Sequence, residues 1–132
     1  MITINKATSS KQVKDKNILR IGSNSISGTM LVFRFRDKDT RQIIHYAPAL
    51  ELTGYGNDED KSFEMLQFSI NNFFDYLISL SPKKRDAELN EFGWKQNSLK
   101  NKEFSKIYID INGELKNFNA VADEVELLTL QA

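Results

Sequence analysis

The chain has 132 residues, 40% of them hydrophobic and 27% charged, and its 18 basic and 18 acidic side chains cancel to a formal net charge of zero. These proportions predict one folded domain over residues 1–132 and argue against a generic polyanion binder, which would need a net positive field. The absence of cysteine removes disulfides, thiolate metal sites and thiol nucleophiles together. With a polar, lysine-containing start and no run of 18 apolar residues, the expectation is a cytoplasmic protein with neither signal peptide nor membrane span.

Residues 2–4 read as a short strand and 5–16 as a polar arm. Ile18, Leu19 and Ile21 form the first apolar cluster, and the Gly, Ser and Asn of 22–28 predict a loop. Leu31, Phe33 and Phe35 then alternate with Val32, Arg34 and Arg36, the period of a strand with two unlike faces. Residues 37–40 are a tight polar connection to a second strand over 41–47. Ile43, His45 and Ala47 lie on one side of it, Ile44 and Tyr46 on the other. Pro48 interrupts the pattern, because proline cannot donate to a ladder. A third strand is expected through Leu50, Leu52 and Tyr55, with Gly54 and Gly56 marking a bulge or a close backbone approach.

Asn57, Asp58, Glu59 and Asp60 supply capping oxygens and first-turn acids for a helix. Phe63, Leu66, Ile70, Phe73, Leu77 and Leu80 follow at alternating spacings of 3 and 4, one stripe facing a core. The helix is predicted over 58–80, about 34 Å at ~1.5 Å per residue, and Ser81-Pro82 ends it. Met65, Phe68, Phe74, Tyr76 and Ile78 lie off that stripe. One sheet face cannot cover both sets, so these five are the candidate interface for another element or another chain. Residues 86–92 suggest a short helix with Gly93 as its C-cap, and 95–102 a loop. Ile107, Ile109 and Ile111 alternate with Lys106, Tyr108 and Asp110 as a further strand, and Asn112-Gly113 signals a hairpin returning over 114–118. Val125, Leu127 and Thr129 alternate with Glu126, Leu128 and Leu130 as a final strand or helix, with strand the preferred reading. The expected fold is α+β: a three-stranded antiparallel meander followed by one long helix packed on the sheet, with further C-terminal strands.

Little chemistry accompanies this frame. His45 is the only histidine, and it reads as a satisfied strand residue. No glycine-flanked nucleophile accompanies it, and no metal-binding spacing occurs. Gly54 and Gly56 precede a helix, but no third glycine follows and three acids sit where a phosphate would go. Asp110 is the kind of strand carboxylate a nuclease uses for magnesium, here read as solvated. No catalytic, metal or cofactor-binding residue is therefore assigned, and no cofactor is expected. Arg34, Arg36 and Arg41, on or beside one hairpin, are the candidate nucleic-acid contacts, with Lys83-Lys84-Arg85 after the helix. Aromatics do not interleave with them, so nucleic acid is not the expected partner. A nucleic-acid-binding regulator, and behind it a metal-dependent hydrolase, are the alternatives to a binding module.

The run from Ala47 to Asp58, APALELTGYGND, resembles the HicB-like antitoxin family, whose members read strand, strand, a Pro-x-Leu segment, a glycine turn and an acidic helix start. Pro48 and Leu50 match the proline and leucine; Gly54, Gly56 and Asp58 fall in the glycine and helix-start region. Leu52 stands where the family has glycine, and Ser62-Phe63 where many members have Glu-Ala. The likeness spans about 30–80, leaving 83–132 as a C-terminal extension. It implies a degraded ribonuclease-H-like fold without a catalytic centre, dimers or higher homo-oligomers, and a small toxin-like ribonuclease as protein partner. Antitoxins of the family bind operator DNA through a C-terminal helix-turn-helix or ribbon-helix-helix. Residues 83–132 show neither pattern, so the expectation is a stand-alone relative.

Overall fold

The computed structural model describes residues 2–6, 17–96, 103–105 and 125–132. Its elements run β1 (Thr3–Lys6), β2 (Ile18–Ile21), β3 (Ile26–Arg36), β4 (Ile43–Ala47), β5 (Leu52–Gly56), α1 (Glu59–Ser79), α2 (Pro82–Glu91), β6 (Lys95–Gln96), β7 (Glu103–Ser105) and β8 (Glu126–Gln131). Among the described residues, eight strands pair antiparallel in one sheet. The fold is α+β, with the meander β3–β4–β5 leading into the long helix as its alternation and caps predict.

β3 is the hub. One edge pairs with β8 from Thr29 to Arg34. The other edge is shared: β2 takes Ile26 to Thr29, and β4 takes Phe33 to Arg36. Between those two ladders the Leu31 N–H would face no strand. Buried Asn17 fills the gap, accepting that N–H on its Oδ1 at 2.9 Å, as a buried backbone donor requires. The sheet thus forks into an arm β2-β7-β6 and an arm β4-β5. β8 lies between β1 and β3, which makes the last predicted strand a central one.

Two apolar layers follow from the alternation along β3. Met30 and Val32 join Leu66, Ile70, Phe74, Leu77, Leu89, Trp94, Leu128 and Leu130 on the helix side. Leu31, Phe33 and Phe35 cluster on the opposite side with Ile44, Tyr46, Val125 and Leu127.

Several expectations are corrected. Residues 22–28 are not one loop: Gly22 N–H donates to the Ser25 carbonyl at 2.8 Å, a tight turn, and β3 starts at Ile26. Gly28 lies within the strand, paired with Leu19, and the position takes glycine because a Cβ there would stand 2.6 Å from the Ile18 carbonyl oxygen. Leu50 lies in a turn before β5, where Leu50 and Glu51 donate to the carbonyls of Ala47 and Pro48 and Glu51 adopts φ 54°. The turn is buried at Ala49 and Leu50, and the Trp94 indole N–H holds it by donating to the Ala49 carbonyl at 3.0 Å. α2 begins at Pro82, four residues before the expected start, because Ser81 caps it and proline suits the first helical position. Gly93 is the left-handed residue after α2, with φ 87°. Lys95 and Gln96 pair with β7 rather than forming a loop. The strand of Ile107, Ile109 and Ile111, the Asn112-Gly113 hairpin and Asp110 lie outside the described residues.

Candidate functional site: the seat and the outer face of α1

One rung crosses four strands: Glu126 of β8 pairs with Arg34 of β3, Arg34 with His45 of β4, and His45 with Gly54 of β5. Residues opposite one another share a face, so this polar row lies under the start of α1. Arg34 reaches Glu126 through two bonds, Nε at 3.3 Å and Nη2 at 2.9 Å, and its Nη1 meets Glu59 in the first turn of α1 at 3.5 Å. The guanidinium therefore ties the last strand to the helix start.

The helix seats on this row through missing side chains. A Cβ at Gly54 would collide with the Ser62 carbonyl and stand 2.5 Å from the Leu66 nitrogen; at Gly56 it would stand 2.7 Å from the Ser62 nitrogen. Backbone meets backbone, so the helix residue at the contact must be small. It is Ser62, fully buried. Its hydroxyl donates to the Gly54 carbonyl at 3.2 Å and lies 2.7 Å from His45 Nδ1. A hydroxyl with its only proton engaged must accept, which assigns the imidazole proton to Nδ1. His45 Nε2 then carries a lone pair with no hydrogen-bond partner among the described residues. Burial pushes the His45 pKa down to about 4, the Arg34 charge pushes the same way, and Glu126 opposes both. The ring is neutral at pH 7, and Phe63 covers it with centroids 5.6 Å apart.

A serine hydroxyl against a histidine is the geometry of an activated nucleophile. Here both side chains are 0% exposed and the hydroxyl is already bonded to a backbone carbonyl, so the pair locks the helix down. Among the described residues no group of three or more His, Asp or Glu is placed to hold a metal ion.

The predicted nucleic-acid cations are dispersed or engaged. Arg34 is held by two carboxylates. Arg36 is exposed and donates to the Arg41 carbonyl at 2.6 Å, closing the β3–β4 hairpin, where Arg41 adopts φ 64°. Arg85, in the basic run set beside the nucleic-acid candidates, is buried: it donates to the carbonyls of Leu77, Ile78 and Leu80. These carbonyls lie at and just past the last turn of α1, where the regular helical partners run out; that of Leu77 also accepts the Leu80 N–H at 3.2 Å, and the cation complements the negative end of the helix.

The candidate interface divides. Phe74 is 6% exposed and belongs to the core, which corrects its assignment. Seating Ser62 inward turns the stripe by about one residue, so Ser62, Leu66, Ile70, Phe74 and Leu77 are buried while Phe63, Phe73 and Leu80 are half-buried at its margins. Met65 is half-buried and wraps the edge of the sheet, with its sulfur 3.4 Å from the Tyr55 nitrogen of β5. Ile78 is half-buried. Phe68, at 68%, and Tyr76, at 46%, face outward. The buried, bonded roles of Ser62, Asn17 and Arg85 are not visible in the sequence. The glycines opposite Ser62 were its one visible signal.

No family model, curated protein or solved structure matches this chain. Among the described residues, no helix is long and apolar enough to cross a membrane.

Proposed function

We propose that the chain is a non-catalytic protein-binding domain of the HicB-like kind, acting in the cytoplasm, with the outer face of α1 as its contact surface. The observation that carries this reading is the 68% exposure of Phe68 on a helix whose inner face is closed against the sheet. A phenylalanine left in water forgoes about 1.5–3 kcal/mol of burial, a sum recovered when a partner covers it. Asp60, Glu64 and Asp75 are exposed on the same helix, so the surface is aromatic with an acidic surround. The burial of the Ser62–His45 pair supports a non-catalytic role, and the absence of cysteine suits a reducing compartment.

Replacing Phe68 with a photo-crosslinking phenylalanine analogue in cells tests the reading. One discrete protein adduct is expected at position 68 and none at exposed Lys38. Equal or no labelling at both positions would overturn it. The adduct's mass reports the occupant, whether a second copy or a small toxin-like ribonuclease, the partner the family resemblance implies.

A further inference from the structure

The outer face of α1 carries a second stripe that the core does not use. Lys61, Met65, Phe68, Asn72, Tyr76 and Ser79 recur at spacings of 4, 3, 4, 4 and 3, the pattern of a helix-pairing seam. Lys61, Phe68, Asn72, Tyr76 and Ser79 are exposed and Met65 is half-buried. The stripe is symmetric about Asn72. Phe68 and Tyr76 stand four residues to either side, and Met65 and Ser79 seven.

From this symmetry we infer that the occupant of the outer face is a second copy of the chain, its α1 lying antiparallel to the first about a twofold axis at Asn72. The inference rests on the reading of this face as a contact surface and names what fills it. Under that axis each Phe68 meets the partner's Tyr76, an aromatic pair made twice. The two Asn72 side chains face each other, each offering a carbonyl and an amide, so either donates to the other. A polar residue between the apolar positions of a helix seam is a device for fixing register and number of strands.

Charge selects the orientation. Glu59, Asp60 and Glu64 outweigh Lys61 at the start of α1, whereas exposed Lys83 and Lys84 stand just beyond its end. Antiparallel pairing brings each acidic start toward the partner's lysines; parallel pairing would set acid against acid. The helix dipoles agree with that choice. A seam one helix wide is small by the standard of stable interfaces, which bury roughly 1,200–2,000 Å² in total. The dimer is therefore expected to exchange, with a dissociation constant of about micromolar order, and to weaken with salt.

The cysteine-free background makes the test direct. In sedimentation runs the chain should pass from monomer to dimer across the micromolar range, and Phe68→Asp should stay monomeric, with an unfolding midpoint equal to that of wild type below the concentration at which wild type associates. Asn72→Cys should form a disulfide dimer under mild oxidation. Lys61→Cys on the same seam should not, since antiparallel pairing holds the two sulfurs about 33 Å apart at ~1.5 Å per residue. Disulfide formation by Lys61→Cys as readily as by Asn72→Cys would overturn the arrangement. So would a monomer at every concentration, or a dimer indifferent to Phe68→Asp. A photo-adduct at position 68 with a different protein would sink the second copy while leaving the contact surface standing; no adduct would sink both.

Discussion

Phe68 and Phe74 sit on one helix, six residues apart, and differ in almost every consequence. Phe74 is enclosed by the sheet side of the core at 6% exposure, and Phe68 stands in water at 68%. Their hydrophobicity is identical, so it cannot have chosen between them. The choice is steric. Gly54 and Gly56 admit the backbone of α1 at Ser62, and once Ser62 points inward the helical period carries Leu66, Ile70, Phe74 and Leu77 with it. A chain with two apolar stripes on one helix is oriented by its closest backbone contact, and the stripe left over is available for binding.

The largest expected effect breaks this contrast on its buried side. Phe74→Ala should cost about 3–5 kcal/mol, the lost burial plus the cavity left behind, read as a drop in the denaturant midpoint. A loss below 1 kcal/mol would place Phe74 back at the surface. Next is the seat itself. Gly54→Ala should destabilise by about 1–3 kcal/mol or more, because the added carbon meets helix backbone, which cannot rotate away as a side chain can. Phe74→Ala should leave the outer face intact, whereas Gly54→Ala should lift the helix start and weaken the Arg34–Glu59 contact as well.

A third effect depends on pH and sharpens the role of the rung. The His45 pKa is about 4 in the folded chain, below its ordinary value of 6.5. As pH falls, the unfolded chain takes the proton first, so this stabilisation is present above about pH 6.5 and is lost as pH approaches 4. One pKa unit is worth about 1.4 kcal/mol, which sets a ceiling of about 3.5 kcal/mol on the loss. His45→Asn keeps a donor near Ser62 without titrating. Its stability should fall less steeply than wild type between pH 6.5 and 4, and equal slopes would remove His45 as the cause.

Much of this architecture was legible in the residues. The alternation of β3, the tight polar connection at 37–40, the Asp58 cap that accepts the Lys61 N–H at 2.8 Å, and the glycines as a close approach all follow from local chemistry. The phase of α1 was not, because it needs the partner surface: read alone, Phe63 and Phe73 outrank Ser62 as core residues. Arg85 was misread for the same reason. Its three carbonyl partners belong to the end of another helix, and no feature of Lys83-Lys84-Arg85 distinguishes the third cation from the first two. Asn17 and Glu126 make contacts 14 and 92 residues distant, beyond the reach of any periodicity.

The smallest expected effect is the most telling for the contact surface. Phe68→Ala removes a large apolar side chain, yet it should change the stability of the monomer by no more than about 0.5 kcal/mol, because the site has little burial to lose. Measured below the concentration at which the chain associates, the unfolding curves of wild type and variant should overlay. Above it they should separate, since whatever covers Phe68 adds to wild-type stability by mass action and adds less to the variant. A cost that is the same at every concentration would mean that Phe68 packs within its own chain. A cost that grows with concentration is the signature of a side chain buried by a second molecule, and it would make the contrast with Phe74 one between folding and binding.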